Sequence, residues 1–274
     1  MRPILLLALA SAVIHAQDRS PVEPKSLPAP DEQVEPVKPA VERIDTTHYR
    51  VGAVTFDQKT REIRFPAAVN MTEGLLEYAI VRGHGKVHES LLVTDTSATD
   101  INLAFKLLRY QGSPELYALI NEKGGLSDRF PEVPEDVKAA ARIKVKVEWS
   151  DQGKTRTVPI SEWIQHAVKA TPMPETLWVY GGSFVDEGKY VAETTGDIMA
   201  IFTSSASMIN YPGKDHDDDT VWVAYPKRVP AEGTKVTVIF SPNPDAKTPA
   251  PAAKDPAPEK STAPDSKSKP QPKP

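Results

Sequence analysis

The chain has 274 residues, a formal net charge of −4, 27 prolines and no cysteine. Without thiols there can be no disulfides, no thiolate catalysis, no lipid attachment through a lipobox cysteine and no iron–sulfur cluster with cysteine ligands. The acidic balance gives no general attraction to nucleic acid.

Residues 1–16, MRPILLLALASAVIHA, read as a cleavable secretory signal. Arg2 supplies the positive start, Ile4–Ile14 the apolar run and Ala16 the cleavage boundary. The run is shorter than the roughly 20 apolar residues of a membrane span, so no transmembrane anchor is expected. The compartment read from it is the periplasm or the cell exterior. Residues 17–45 hold six prolines, seven acidic and four basic residues. Such a segment cannot bury enough apolar surface to offset its ordering entropy and is expected to be a disordered tether. Residues 243–274, with nine prolines, six lysines and no aromatic residue, read as a disordered tail suited to cell-wall contact. Between them, 46–242 is about 200 residues, enough for a single hydrophobic core.

Within that domain the expected strands come in chain order. Val54–Phe56 and Ile63–Phe65 flank the turn Asp57–Thr60 as a hairpin. Glu77–Val81 and Ser90–Thr94 flank the turn Gly83-His84-Gly85. Ile143, Val145, Val147 and Trp149 alternate with Lys144, Lys146 and Glu148, the period of a half-buried strand. Asp151-Gln152-Gly153 turns that strand into Thr155–Val158. Leu177–Tyr180, Gly196–Phe202, Val221–Tyr225 and the alternating Val236, Val238 and Phe240 complete the set. Three helices are expected. Ser97 caps one with Ile101, Ala104, Phe105 and Leu108 on a single face. Ser113-Pro114 opens a second, with Leu116, Leu119 and Ile120 inward and Gly124 as its stop. Ser161 caps a third bearing Trp163, Ile164 and Ala167. The fold class is therefore α+β: β-rich, mainly antiparallel, with about three short helices, one domain flanked by disordered segments.

Several runs carry a resemblance. They are Arg61-Glu62-Ile63-Arg64-Phe65-Pro66-Ala67, Gly74-Leu75-Leu76-Glu77-Tyr78 and Lys86-Val87-His88-Glu89-Ser90-Leu91-Leu92. Further on come Trp178-Val179-Tyr180-Gly181-Gly182-Ser183, Ile209-Asn210-Tyr211-Pro212 and Pro230-Ala231-Glu232-Gly233-Thr234. In this order they resemble the YdjY-like domain family of bacterial exported proteins over most of 50–241, most specifically at His-Glu-Ser. The resemblance implies a bacterial, periplasmic or secreted protein and no established activity. The ferredoxin-type label some members carry cannot describe a cluster in a chain without cysteine.

Two constellations could hold chemistry. His88-Glu89-Ser90 offers a proton carrier or metal ligand beside a carboxylate. On a strand, His88 and Ser90 would face one side and Glu89 the other, so the three alone make no triad. His84 in the preceding turn could join His88 on a divalent metal. The plainer reading pairs Glu89 with a nearby cation and His88 with a backbone carbonyl. Asp215-His216-Asp217-Asp218-Asp219 crowds oxygen ligands of the kind calcium takes. Yet Thr220 and Pro226 stand where an EF-hand needs glycine and glutamate, and a solvated acidic loop explains the run equally well. Ser183 after Gly181-Gly182 could be a nucleophile or part of an anion-binding turn, but Val185 breaks the Gly-x-Ser-x-Gly pattern. Asn210-Tyr211-Pro212 reads as a turn. Trp149, Trp163, Trp178 and Trp222 read as core.

The leading expectation is a non-enzymatic module that binds a protein partner or small ligand. One alternative is a metal-binding protein or metal-dependent hydrolase using His84, His88 and Glu89, with Asp215, His216, Asp217 and Asp219 as further ligands. Another is an envelope structural protein.

Overall fold

The structure, a computed structural model, describes residues 40–246. The signal 1–16, the tether up to residue 39 and the tail from residue 247 lie outside the described residues. Three strands open the fold: β1 (Val41–Arg43), β2 (His48–Val51) and β3 (Val54–Asp57). There follow β4 (Ile63–Val69), β5 (Tyr78–Arg82), β6 (Ser90–Thr94) and helix α1 (Ala98–Leu107). Helix α2 (Glu135–Ala141) leads directly into β7 (Arg142–Asp151), then β8 (Lys154–Pro159), β9 (Ile164–His166) and β10 (Trp178–Tyr180). After β11 (Val185–Asp186) and β12 (Lys189–Tyr190) come helix α3 (Val191–Thr195), β13 (Asp197–Ala200) and β14 (Ile209–Asn210). The last two strands are β15 (Trp222–Ala224) and β16 (Lys235–Pro242).

Eight strands close a barrel in the order β4–β16–β7–β10–β14–β13–β5–β6, sealed where Ala68 and Val69 of β4 meet Val93 and Leu92 of β6. Strands β1–β3 extend the wall from β4, and β8 branches from β7. The alternation read in β7 and β16 explains their central place. Ile143, Val145 and Val147 are buried while Lys146 is exposed, and Val236, Val238 and Phe240 are buried beside exposed Lys235. Helix α1 joins the same core. Its Phe105 stacks on Tyr180 of β10 at 4.2 Å between centroids and lies 5.6 Å from Phe240 of β16. Ser97 caps α1 as its sequence suggests, its hydroxyl accepting from the Asp100 amide at 3.2 Å.

The β-rich, mainly antiparallel, single-domain reading agrees with this architecture, but closure into a barrel was not foreseen. Two pairs, β5 with β6 and β13 with β14, are parallel. The helix count matches while two of the three identities do not. Residues Ser113–Gly124 form no helix. One turn closes from the Tyr117 amide to the Pro114 carbonyl at 2.9 Å. Asn121 then accepts from the Lys123 and Gly125 amides, both at 3.0 Å, a local bonding that competes with helix. Leu119 and Ile120, expected inward, are 40% and 71% exposed. The Ser161 segment is a single 3-10 turn, Ile160–Trp163, which ends where β-branched Ile164 pairs with Ala224 of β15. The ordered wall also begins earlier than residue 46. Strand β1 pairs with β2, and Glu42 meets Arg50 at 2.5 Å across them. At the other end, Asn243 of the expected tail is buried and its amide donates to the Arg142 carbonyl at 3.0 Å.

Candidate functional site

Strands β5 and β6 run parallel, so the chain must travel back along β5 before β6 can begin. It does so in the return Gly83–Glu89, shorter than the dozen or so residues a parallel crossover ordinarily takes. Glycine permits the tight start: a Cβ on Gly85 would sit 3.2 Å from the carbonyl oxygens of both Arg82 and Thr195. Val87 then packs against Tyr78, Val81 and Ala200. The return ends in a 3-10 turn, Val87–Glu89, which delivers Lys86, His88 and Glu89 beside the start of β5.

There the charges converge. Lys86 Nζ donates to Glu77 Oε2 at 3.1 Å and lies 5.2 Å from the centre of the Tyr78 ring. His88 Nε2 meets Glu89 Oε1 at 2.9 Å, with the imidazole 73% exposed. Glu89 Oε2 is buried and has no donor. Its neighbour is the Glu77 carboxylate, so one proton shared between the two acids would satisfy both. Burial first, and then the contact with Glu77, push the Glu89 carboxyl above its ordinary value. Burial opposes the charge on Lys86, but Glu77 and Tyr78 outweigh it and hold the ammonium above its usual range. Asp197 of β13 is buried beneath this group. Burial raises its carboxyl, opposed by the Thr195 hydroxyl and by Lys86. The result is a carboxylate pair with an ammonium and a solvent-facing imidazole. Such a group can exchange protons or accept a cationic group.

The other sequence candidates are placed elsewhere or turned inward. His88 and Glu89 are on a turn rather than on a strand. Their partner is each other, not the separate cation and carbonyl of the plainer reading. Ser90 is buried, its hydroxyl donating to the Leu92 carbonyl at 2.9 Å. His84 points to α3, where Nε2 donates to the Glu193 carbonyl at 3.1 Å. Ser183 has φ 54° and its hydroxyl donates to the Ala206 carbonyl at 2.7 Å, an anchor for its loop. Asn210 is no turn residue. It lies in β14, fully buried, with Oδ1 accepting from the Ser204 amide at 2.8 Å and Nδ2 donating to Tyr117 Oη at 3.0 Å. In the acidic run, His216 Nδ1 lies 2.7 Å from Thr203 Oγ1, and Asp218 Oδ1 accepts from the Thr220 amide at 2.9 Å. Asp215 has φ 62°. Asp217 and Asp219 make no ion pair among the described residues. No group of three or more His, Asp or Glu side chains among the described residues is placed to hold a metal ion.

Sequence reasoning missed Glu77 and Asp197. Both are acids in otherwise apolar runs, Leu75-Leu76-Glu77-Tyr78 and Asp197-Ile198-Met199-Ala200, and a charge at such a position is the signal that could have marked them.

An eight-stranded barrel with a packed interior and a polar return at one strand start defines a small β-barrel domain of the α+β class. Comparison with known families places it more closely: the chain belongs to the YdjY domain family, whose family model matches residues 54–241. No curated protein and no solved structure gives a significant match. Among the described residues, no helix is long and apolar enough to cross a membrane.

Proposed function

We propose that the protein is an exported, non-catalytic binding module whose contact surface is the return Gly83–Glu89 with Glu77. One observation carries this reading. Ser90, Ser183 and Asn210 spend their polar atoms on internal hydrogen bonds, whereas Glu77, Lys86, His88 and Glu89 converge with an exposed imidazole at their edge. A carboxylate pair holding a shared proton gains most from a guanidinium or ammonium group that replaces that proton. The partner chemistry is therefore a basic side chain or small organic cation. Amide chemical shifts of the labelled protein, followed during titration with methylguanidinium, test it. Saturable shifts confined to Glu77–Glu89, and absent from a Glu77→Gln/Glu89→Gln variant, are expected. Turnover of a substrate by the purified protein, abolished by His88→Ala, would overturn the non-catalytic reading. Stoichiometric zinc or calcium in chelator-free protein would replace it with the metal-binding alternative. Export rests on the signal segment. Intact-mass analysis of the periplasmic fraction should find a chain beginning at Gln17, and a chain retaining Met1 in the cytoplasm would count against it.

A further inference from the structure

A polar cleft whose lining includes none of the Gly83–Glu89 residues arises from the sheet topology. On one edge β7 pairs continuously with β16, Pro242 opposite Ile143 through Thr237 opposite Glu148. The other edge is shared. Trp178 of β10 pairs with Ile143, and Pro159 of β8 pairs with Lys146. Lys144 and Val145, between them, have no strand partner on that side. Successive residues of a strand direct their N–H and C=O groups to opposite edges, so one of these two offers both groups to the gap. The wall forks there, and the fork encloses a cleft of about 310 Å³. That is the lower end of the range for small-molecule sites.

The lining is charged in both senses. Lys144 and Lys146 leave β7 on one face, roughly 7 Å apart along the strand. Glu175 enters ahead of β10, and Asp245 follows β16. None of these four makes an ion pair among the described residues. The Ser161 hydroxyl also lines the cleft. Ser161 is 3% exposed, and its side chain makes no hydrogen bond among the described residues.

The geometry points to a binding site for a small dipolar ligand carrying one carboxylate and one ammonium group, such as an amino acid or a short peptide. Its carboxylate meets Lys144, Lys146 and the Ser161 hydroxyl, and its ammonium meets Glu175 and Asp245. A simple anion would face the two carboxylates and a simple cation the two lysines, so only a dipolar ligand uses all four charges.

The test is an NMR titration of the labelled full chain with the dipeptide L-alanyl-L-alanine. Two analogues each remove one charge: N-acetyl-L-alanine and L-alanine amide. Saturable shifts at Lys144–Lys146, Ser161 and Asp245 are expected with the dipeptide, and each analogue should bind at least about tenfold more weakly. The Lys144→Met/Lys146→Met variant alters only outward side chains and should lose about tenfold in dipeptide affinity with its spectrum otherwise native. Ser161→Ala provides a second, smaller loss. The proposal is overturned by absence of saturable shifts, by equal binding of either analogue, or by a natively folded lysine variant that binds as well as the wild type.

Discussion

Gly181→Ala is the sharpest test of how the buried Asn210 is held. Gly181 does not require a left-handed backbone, so any penalty is steric. A Cβ there would fall onto the Tyr117 hydroxyl and lie 2.9 Å from Tyr117 Cζ, closer than real Cβ contacts come. Tyr117 must move, and its hydroxyl then leaves Asn210 Nδ2, now 3.0 Å away. Asn210 is fully buried, so its amide cannot turn to water instead. Overpacking costs about 1–3 kcal/mol, and an orphaned buried donor about 1–3 kcal/mol more. The sum, about 2–6 kcal/mol, is a large part of the 5–15 kcal/mol by which domains are ordinarily stable. Urea unfolding followed by tryptophan fluorescence reads it as a lower midpoint with unchanged slope, since Trp163 and Trp178 are buried reporters. Tyr117→Phe alone should lose about 1–3 kcal/mol. Because both changes act through the same hydroxyl, the double variant should fall short of additivity by at least about 1 kcal/mol. A Gly181→Ala protein within about 0.5 kcal/mol of wild type, or a strictly additive pair, would refute this account of the site.

Glu89 is held above its ordinary value, so the folded state binds more protons than the unfolded chain. Stability should therefore fall as pH rises from the reference value of 4.5 towards the raised one. Glu89→Gln should remove that decline, which denaturation midpoints across pH 4–8 would show. Glu193 behaves oppositely. Burial pushes its carboxyl up, but the Thr99 amide at 2.9 Å, the Ser97 hydroxyl at 2.9 Å and Arg82 outweigh burial and hold it below 4.5. Its contribution is present above that pH and lost as pH falls through the depressed value, and Glu193→Gln should flatten the acid limb while costing about 1–3 kcal/mol at neutral pH. Ile120→Ser and Leu126→Ser, at residues 71% and 77% exposed, should leave unfolding midpoints unchanged to within about 0.5 kcal/mol. A large loss there would mean that these side chains are covered.

Local features carried the legible part of the fold. The β3–β4 hairpin, β7 and β16 announce themselves by alternation, and α1 by its Ser97 cap and its Ile101, Ala104 and Phe105 face. Closure does not, because β4 meets β6 only through Ala68 and Val69, a pairing that neither strand's composition encodes. The Leu116-Leu119-Ile120 spacing looks helical, yet Asn121 and the two following glycines make a turn by local bonding. Within the candidate site, His88-Glu89 is visible as a titratable pair. Glu77 is invisible as their partner, because only the parallel register of β5 and β6 brings it there.

The two polar surfaces share a physical origin. Closing a barrel pairs most strand edges and turns most inward side chains into core, which leaves few places where backbone and side-chain polar groups are both free to meet another molecule. Such places arise where regular pairing lapses. Between β5 and β6 the lapse is a crossover that holds only a 3-10 turn, and it gathers Glu77, Lys86, His88 and Glu89. Along β7 the lapse is the gap between β10 and β8, and it gathers Lys144, Lys146 and Ser161. Glu77 immediately precedes β5 and Lys144 and Lys146 lie on β7, so part of each surface is set by the barrel wall itself. That placement suits recognition.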